Sequence, residues 1–158
     1  MLPMLLAVDF MNFNYYRIPC SGNVPVPALI RQGKYSYLDK KMTVGFDVYV
    51  VTVKEGSLRP GTRQAVVTIG CDFPVGGTSA AYLYDVRGGN AKFVQTVGHA
   101  DWGGDWGAGP GAIHVRFANR LLYVDSCAND ECETSIVRTY AFRGRQIKQI
   151  YEQTHPTR

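Results

Sequence analysis

One glycine-rich stretch near position 100 holds the residue types best suited to chemistry. It contains both tryptophans of the chain, Trp102 and Trp106, with the carboxylates Asp101 and Asp105 and the imidazole of His99. Exposed tryptophan faces stack on sugar rings or cations, and nearby carboxylates can accept hydrogen bonds from sugar hydroxyls. These five residues are therefore a candidate binding site for a glycan or cell-wall polymer.

A plainer interpretation of the same stretch is a long hairpin loop whose tryptophan rings fold back over the end of the core. We favour it, because large aromatic side chains are mostly buried. The glycines do not form a phosphate loop, since no Lys-Ser/Thr follows them and no helix is predicted to begin there.

Catalysis needs more partners than the sequence supplies. On a strand, His99 and Asp101 would lie two residues apart and point the same way, and with Asp105 they would be the residues of a hydrolase. A third partner is missing, and no Gly-x-Ser-x-Gly motif provides a nucleophile. We therefore predict no catalytic residue and no cofactor.

The two other histidines show no spacing typical of metal ligands. His114 falls in a strand that should be half-buried, so we expect a hydrogen-bonded structural histidine. His155 falls in a polar C-terminal tail.

The four cysteines, Cys20, Cys71, Cys127 and Cys132, form an even set, and no pair has the two-residue gap of a zinc or thioredoxin-type site. Three pairings are possible. We favour Cys20–Cys71 with Cys127–Cys132, the second closing a short loop. Four reduced thiols in a cytosolic protein are the alternative. Because small exported β domains use disulfides in this way, we predict a secreted, extracellular or periplasmic protein.

Strand signals dominate the chain and helix signals are almost absent. Turn residues that tolerate positive φ separate three pairs of strands, as in tight hairpins. A fourth turn is expected at 32–33, before 34–37, and loops at 20–27 and 101–111. The predicted strands are 43–53, 64–71, 80–86 with 91–97, 112–117 with 121–126, and 134–142 with 146–152.

Consecutive hairpins predict an all-β fold, a single antiparallel meander domain with two disulfides. Ile113, Val115 and Phe117 should share one face, with Leu122 and Val124 opposite them on the next strand. Such a sheet must close into a barrel or pack in a sandwich to hide its apolar side, and the sequence leaves both open.

Composition limits the classes of partner. Hydrophobic residues make up 46% of the 158 residues, which excludes a disordered chain. The formal charge of +4 is spread along the sequence without a cluster of Lys and Arg, so we predict no nucleic-acid partner.

The first eight residues are apolar but too short to span a bilayer. They are either the remnant of a signal sequence or a strand pinned to its own sheet or to a neighbouring subunit, ahead of the β domain at 9–158. In the second case the candidate assembly residues are Leu2, Leu5, Leu6, Val8 and Phe10.

Several short motifs resemble a group of uncharacterised exported bacterial proteins. Residues 55–66 are similar to that group's Gly-Asp-Leu-x-Gly-Asp-Gly-x-x-Glu-Ala-Val element, and residues 9–15 to its Asp-Phe-x-Asn-Phe-x-Tyr run. Residues 33–35, 67–71 and 76–79 match further short motifs. The resemblance implies export and a Cys20–Cys71 bridge, and it implies no activity.

The chain departs from that group where the group has an acidic, calcium-like turn. Here the positions carry Ser57, Arg59, Pro60 and Gly61, and an arginine would repel calcium, so we predict no metal. The acidic cluster Asn129, Asp130, Glu131 and Glu133 has the wrong spacing for an EF-hand and is expected to be a solvated clasp.

The sequence therefore predicts a non-catalytic secreted module that acts by contact with a protein, with copies of itself as one such partner in an extracellular oligomer or filament. Abundant tyrosine, low charge and exposed strand edges favour this hypothesis. A glycan-binding module using Trp102 and Trp106 and a hydrolase using Asp101, Asp105 and His99 are the alternatives.

Overall fold

The computed structural model describes residues 7–103, 112–128 and 132–157. Apart from one short 3-10 helix at Phe10–Asn12, its regular elements are eleven strands paired antiparallel. The strands are β1 (Asn14–Tyr15), β2 (Ala28–Leu29), β3 (Lys34–Asp39), β4 (Val44–Gly56), β5 (Gln64–Phe73), β6 (Gly76–Arg87), β7 (Asn90–Gly103), β8 (Ile113–Ala118), β9 (Leu121–Cys127), β10 (Thr134–Arg143) and β11 (Gln146–Pro156).

These strands form three sheets, and the predicted all-β fold is confirmed. A five-stranded sheet has the order β3-β4-β5-β6-β7, and a four-stranded sheet has the order β11-β10-β9-β8. The third sheet is the short pair β1-β2. Neighbours in the two larger sheets are consecutive in the chain, so each is a meander of hairpins.

The central strands of the five-stranded sheet, β5 and β6, are buried on both faces, because this sheet is the middle layer of the molecule. On one face, Val66 and Leu83 pack against Leu122 and Val124 of the four-stranded sheet. On the other face, Val67, Ile69 and Tyr84 pack against the N-terminal segment, including Phe10, Tyr15, Ile18 and Ile30. The larger sheets thus stack face to face, as in a sandwich, and the N-terminal segment adds a third layer.

Strand β5 shows why its sequence is a continuous apolar run. All eight residues from Gln64 to Cys71 are buried, and alternate side chains enter the two cores. The predicted strand at 64–71 is confirmed, and pairing with β6 extends it to Phe73.

The predicted hairpins are also confirmed, and their turns follow the sequence. Gly88 and Gly89 have φ of 55° and 80°, and Asn119 and Arg120 have φ of 51° and 60°. Two consecutive positive φ values are typical of the tight turn that matches strand twist. As predicted, Val115 lies opposite Val124 and Phe117 opposite Leu122.

Two expectations about strand ends are wrong. Asp101, Trp102 and Gly103 belong to β7 and not to a loop, because β6 begins early enough for Gly76 to pair with Gly103. His155 belongs to β11 and not to a free tail, since it pairs with Ser135. Residues 104–111 of the predicted loop lie outside the described part of the chain.

Within the described ranges, no helix has the length and apolar character needed to cross a membrane.

Candidate functional site

His99 and Asp101 lie on one face of β7, as alternation predicts. His99 Nε2 is 3.4 Å from Asp101 Oδ1 and 3.2 Å from the hydroxyl oxygen of Thr78 on β6. Both side chains of the pair are more than half exposed, whereas Thr78 is almost buried. Thr78 was not predicted, because its proximity depends on the register of β6 against β7.

This trio differs from a catalytic triad in one decisive respect. In a triad the carboxylate holds one imidazole nitrogen while the nucleophile contacts the other, so that a proton can move through the ring. Here Asp101 and Thr78 both approach Nε2 of His99. The geometry gives an ion pair when His99 is protonated, and it gives no support to the hydrolase hypothesis. Asp105 lies outside the described residues.

Trp102 lies on the opposite face of β7 from Asp101, because adjacent residues of a strand alternate. Its ring covers Gly77 on β6, filling the space that a Cβ would need, and the side chain is half-buried. The strand therefore separates the Trp102 ring from the Asp101 carboxylate, which the candidate glycan site placed together. Trp106 lies outside the described residues.

A second aromatic ring covers a glycine in the same region of the sheet. A Cβ on Gly70 would lie 2.7 Å from Cε2 of Tyr49, whose hydroxyl donates to Asp72 Oδ1 at 2.8 Å. Burial and then this hydrogen bond raise the pKa of Tyr49 above its ordinary value. Asp72 pairs with Gly77, beneath the ring of Trp102.

Together Tyr49, Asp72 and Trp102 form what we call the aromatic platform. Its carboxylate is Asp72, which sequence reasoning missed because it comes from a different strand.

The predicted cysteine pairs are both present as disulfides. Cys20–Cys71 joins the N-terminal layer to β5 with a Cα–Cα distance of 6.2 Å. Cys127–Cys132 closes the connection after β9 with a Cα–Cα distance of 4.9 Å.

The N-terminal assembly residues fall into two groups. Phe10 is buried, and its ring centroid lies 5.5 Å from that of Phe13 and 5.6 Å from that of Tyr84. Val8 packs on the same core. These two residues therefore contact their own sheet. Leu2, Leu5 and Leu6 lie outside the described residues.

The strand that holds His114 is half-buried, as expected, but His114 itself is exposed, so the predicted structural role of this histidine is wrong. It faces outward between Ile113 and Val115, both of which point toward the sheet-to-sheet core. His155 has Ser135 as its neighbour, with the serine hydroxyl 3.0 Å from Nε2.

The connection between β4 and β5 is held by its own hydrogen bonds. The Arg59 carbonyl accepts from the hydroxyls of Ser57 and Thr62. The fully buried Gln64 accepts from the Leu58 amide at 2.9 Å and donates to Asp85 at 3.1 Å. The absence of a metal at this turn stays a prediction.

Of the predicted acidic clasp, Asn129, Asp130 and Glu131 lie outside the described residues. The Glu133 carbonyl accepts from the amide of Thr157 at 2.9 Å. Among the described residues, no group of three or more His, Cys, Asp or Glu side chains could hold a metal ion.

A cleft that the sequence did not predict opens between the sheets where β6 ends and β11 begins. Its volume is about 440 Å³. The lining includes three arginines, two glutamines and an apolar wall of Val94, Phe142 and Ile147. We call it the arginine cleft.

Comparison with models of known families, with curated proteins and with solved structures gives no match. The resemblance to exported bacterial proteins therefore stays a prediction, and function has to be argued from the chain's own geometry.

Proposed function

We propose that this chain is a non-catalytic, exported interaction module that assembles with copies of itself through the open edge of β11. The observation that carries the proposal is the exposure of this strand. It is the outer strand of its sheet, and all of its residues except Ile147 and His155 are exposed. An open edge presents unpaired N–H and C=O groups that a strand of another molecule can bind.

The other sheet edges are less suitable. Strands β3 and β8 have only six residues each. Strand β7 is long, but its pairing with β6 has two register shifts, whereas the pairing of β11 with β10 has one. Strand β11 combines eleven residues with two exposed large side chains, Ile150 and Tyr151.

Antiparallel pairing of two copies about a two-fold axis at Ile150 would bring the two exposed isoleucines together, with Tyr151 beside them. Ile150 is the extra residue of a bulge, since Thr139 pairs with Tyr151 and Tyr140 pairs with Gln149. The bulge leaves Ile150 without a partner on β10, so its side chain is available to a second copy.

Export is supported by the two disulfides, because such bonds persist in oxidising compartments and are rare in the cytosol.

The proposal is tested with Ile150→Arg, measured by sedimentation velocity over a range of concentrations. We expect the parent to associate as concentration rises and the variant to stay monomeric, because two arginines would meet at the axis. The matched control is Val75→Arg, since Val75 is 76% exposed in the β5–β6 turn, away from β11. A monomeric parent, or equal loss of association in both variants, contradicts the proposal.

Glycan binding is a second candidate, favoured by the aromatic platform. Two rings that each cover a glycine, one of them hydrogen-bonded to a carboxylate, provide the stacking faces and the hydrogen-bond acceptor that sugars use. Trp102→Ala should abolish binding on a glycan array while the far-UV circular dichroism stays unchanged. Tyr16→Ala is the control, because Tyr16 is an exposed tyrosine elsewhere on the surface. No binding by the parent, or equal binding by Trp102→Ala, removes this candidate.

A further inference from the structure

One end of the molecule gathers arginines that are far apart in the sequence. Four strand connections meet there: β4–β5, β6–β7, β8–β9 and β10–β11. Taken with two strand residues on either side, they carry six arginines and one carboxylate, that of Glu55. The arginines are Arg59, Arg63, Arg87, Arg120, Arg143 and Arg145. The charge that looks evenly spread in sequence is therefore concentrated by the fold.

The arginine cleft lies at this end, and three of the six arginines line it. Arg59 and Arg145 lie in two different connections and Arg87 is the last residue of β6, while Asp85 is the carboxylate in the lining. Guanidinium groups bind carboxylate and sulfate oxygens in a bidentate manner, which lysine cannot do. Three guanidinium groups against one carboxylate leave a net positive cleft.

Two of these arginines have partners at the cleft. The Arg59 guanidinium lies 4.4 Å from the centroid of the Phe142 ring and donates to the Gly144 carbonyl at 3.4 Å. Arg87 Nε donates to Asp85 Oδ2 at 3.0 Å, and Asp85 accepts in turn from the fully buried Gln64. Because the Arg87 side chain is 79% exposed, its ion pair orients it only weakly. The stacked Arg59 is already positioned and loses less entropy when a ligand binds.

Arg145 differs from the other two. It is exposed, and within the described ranges it makes no ion pair. Its charge is therefore free to meet an anion at the mouth of the cleft.

We propose that the arginine cleft binds an acidic sugar, one that carries a carboxylate or sulfate group. The arginines suit the anionic group, and Val94 and Ile147 suit the C–H surface of a sugar ring. Gln146 suits hydroxyls, as does the side-chain oxygen of Gln95, whose nitrogen donates to the Ile147 carbonyl. These three chemistries occur together on a charged saccharide.

Other anionic polymers fit the cleft less well. A nucleic acid would need a free aromatic face for its bases, and Arg59 covers a face of Phe142. An acidic peptide would supply carboxylates, but it lacks the ring of hydroxyls and C–H groups that the glutamine side chains and the apolar wall of this cleft suit. The site does not depend on pairing through β11.

The test is isothermal titration calorimetry with four probes at low ionic strength. They are tetragalacturonate, a heparin tetrasaccharide, uncharged cellotetraose and tetraglutamate. We expect the two acidic saccharides to bind and the other two not to bind. Equal or tighter binding of tetraglutamate overturns the proposal in favour of a peptide ligand, and binding of cellotetraose alone overturns the role of the arginines.

The site is located with Arg87→Gln/Arg145→Gln, which leaves the stacked Arg59 in place. The matched control, Lys40→Gln/Lys41→Gln, removes the same charge from the exposed β3–β4 connection. The arginine variant should bind acidic saccharides about tenfold or more weakly, as expected for the loss of two charge-assisted contacts, while the lysine variant should bind as the parent does. Equal weakening in both variants would show a general charge effect and overturn the proposal, as would no binding by the parent.

Discussion

At the level of single residues, buried tyrosines stabilise this fold through the hydrogen bonds that their hydroxyl groups donate. Tyr15 donates to the Phe10 carbonyl at 2.6 Å, and Tyr140 donates to the Val97 carbonyl at 3.2 Å. The first hydrogen bond lies within the N-terminal layer, and the second joins the two large sheets. Burial raises the pKa of each phenol above its ordinary value.

This burial predicts a loss of stability in alkaline solution. Burial also raises the pKa of Tyr82 and Tyr84. Unfolded tyrosines release their protons near pH 10, whereas the folded state retains them. Above that pH the unfolded chain binds fewer protons, so the free energy of unfolding falls as pH rises. Urea denaturation should therefore give a lower free energy of unfolding above pH 10 than at pH 8.

Tyr82→Phe provides the control, because it removes one buried phenol and leaves the ring. Its stability should fall less steeply with pH than that of the parent. Identical slopes, or a parent whose stability is constant beyond pH 10, would contradict the prediction.

At this scale the sequence predicts which residues carry chemistry and fails to predict their neighbours. His99 and Asp101 share a face because strand alternation is local. Thr78 and Asp72 could not be found, because their positions depend on the register of β6 against β7 and β5. Because β7 extends six residues beyond the predicted end at 97, to Gly103, Trp102 and Asp101 also lie on opposite faces.

The N-terminal layer is the element whose attachment most needs explanation. It contains one short 3-10 helix and a two-stranded sheet, too little regular structure to hold by backbone pairing alone. Its apolar residues cover one face of the five-stranded sheet, and Cys20–Cys71 ties it to β5. The disulfide and the apolar contacts therefore both hold the N-terminal layer on the five-stranded sheet.

The two disulfides are predicted to contribute unequally to stability. Cys20 and Cys71 are 51 positions apart, whereas Cys127 and Cys132 are 5 apart. Loop-closure entropy gives about 4 kcal/mol for the longer loop and about 2 kcal/mol for the shorter. Urea denaturation of Cys20→Ala/Cys71→Ala and of Cys127→Ala/Cys132→Ala measures the two values. A larger loss from the second variant would contradict this account.

The elements themselves were largely predictable. Turns that contain Gly, Asn or Arg-Gly indicated the hairpins, since positive φ is required there. The apolar run at 64–71 indicated a buried strand. The stacking of the sheets was not predictable, because alternation identifies an apolar face without identifying its partner. Strand ends were also uncertain, because they depend on pairing.

At the scale of the whole molecule, the fold creates three surface features. One end concentrates arginines, one sheet edge is open along β11, and the aromatic platform lies on the five-stranded sheet. No sequence pattern predicts the arginine cleft, because its arginines come from distant connections.

The pairing of β11 is the central claim, and amide hydrogen exchange tests it most directly. Exchange of the β11 amides between Lys148 and Glu152 is measured at low and at high protein concentration. The account predicts fast exchange of the outward-facing amides in the dilute protein and marked protection in the concentrated protein. Fast exchange of these amides at every concentration would contradict it.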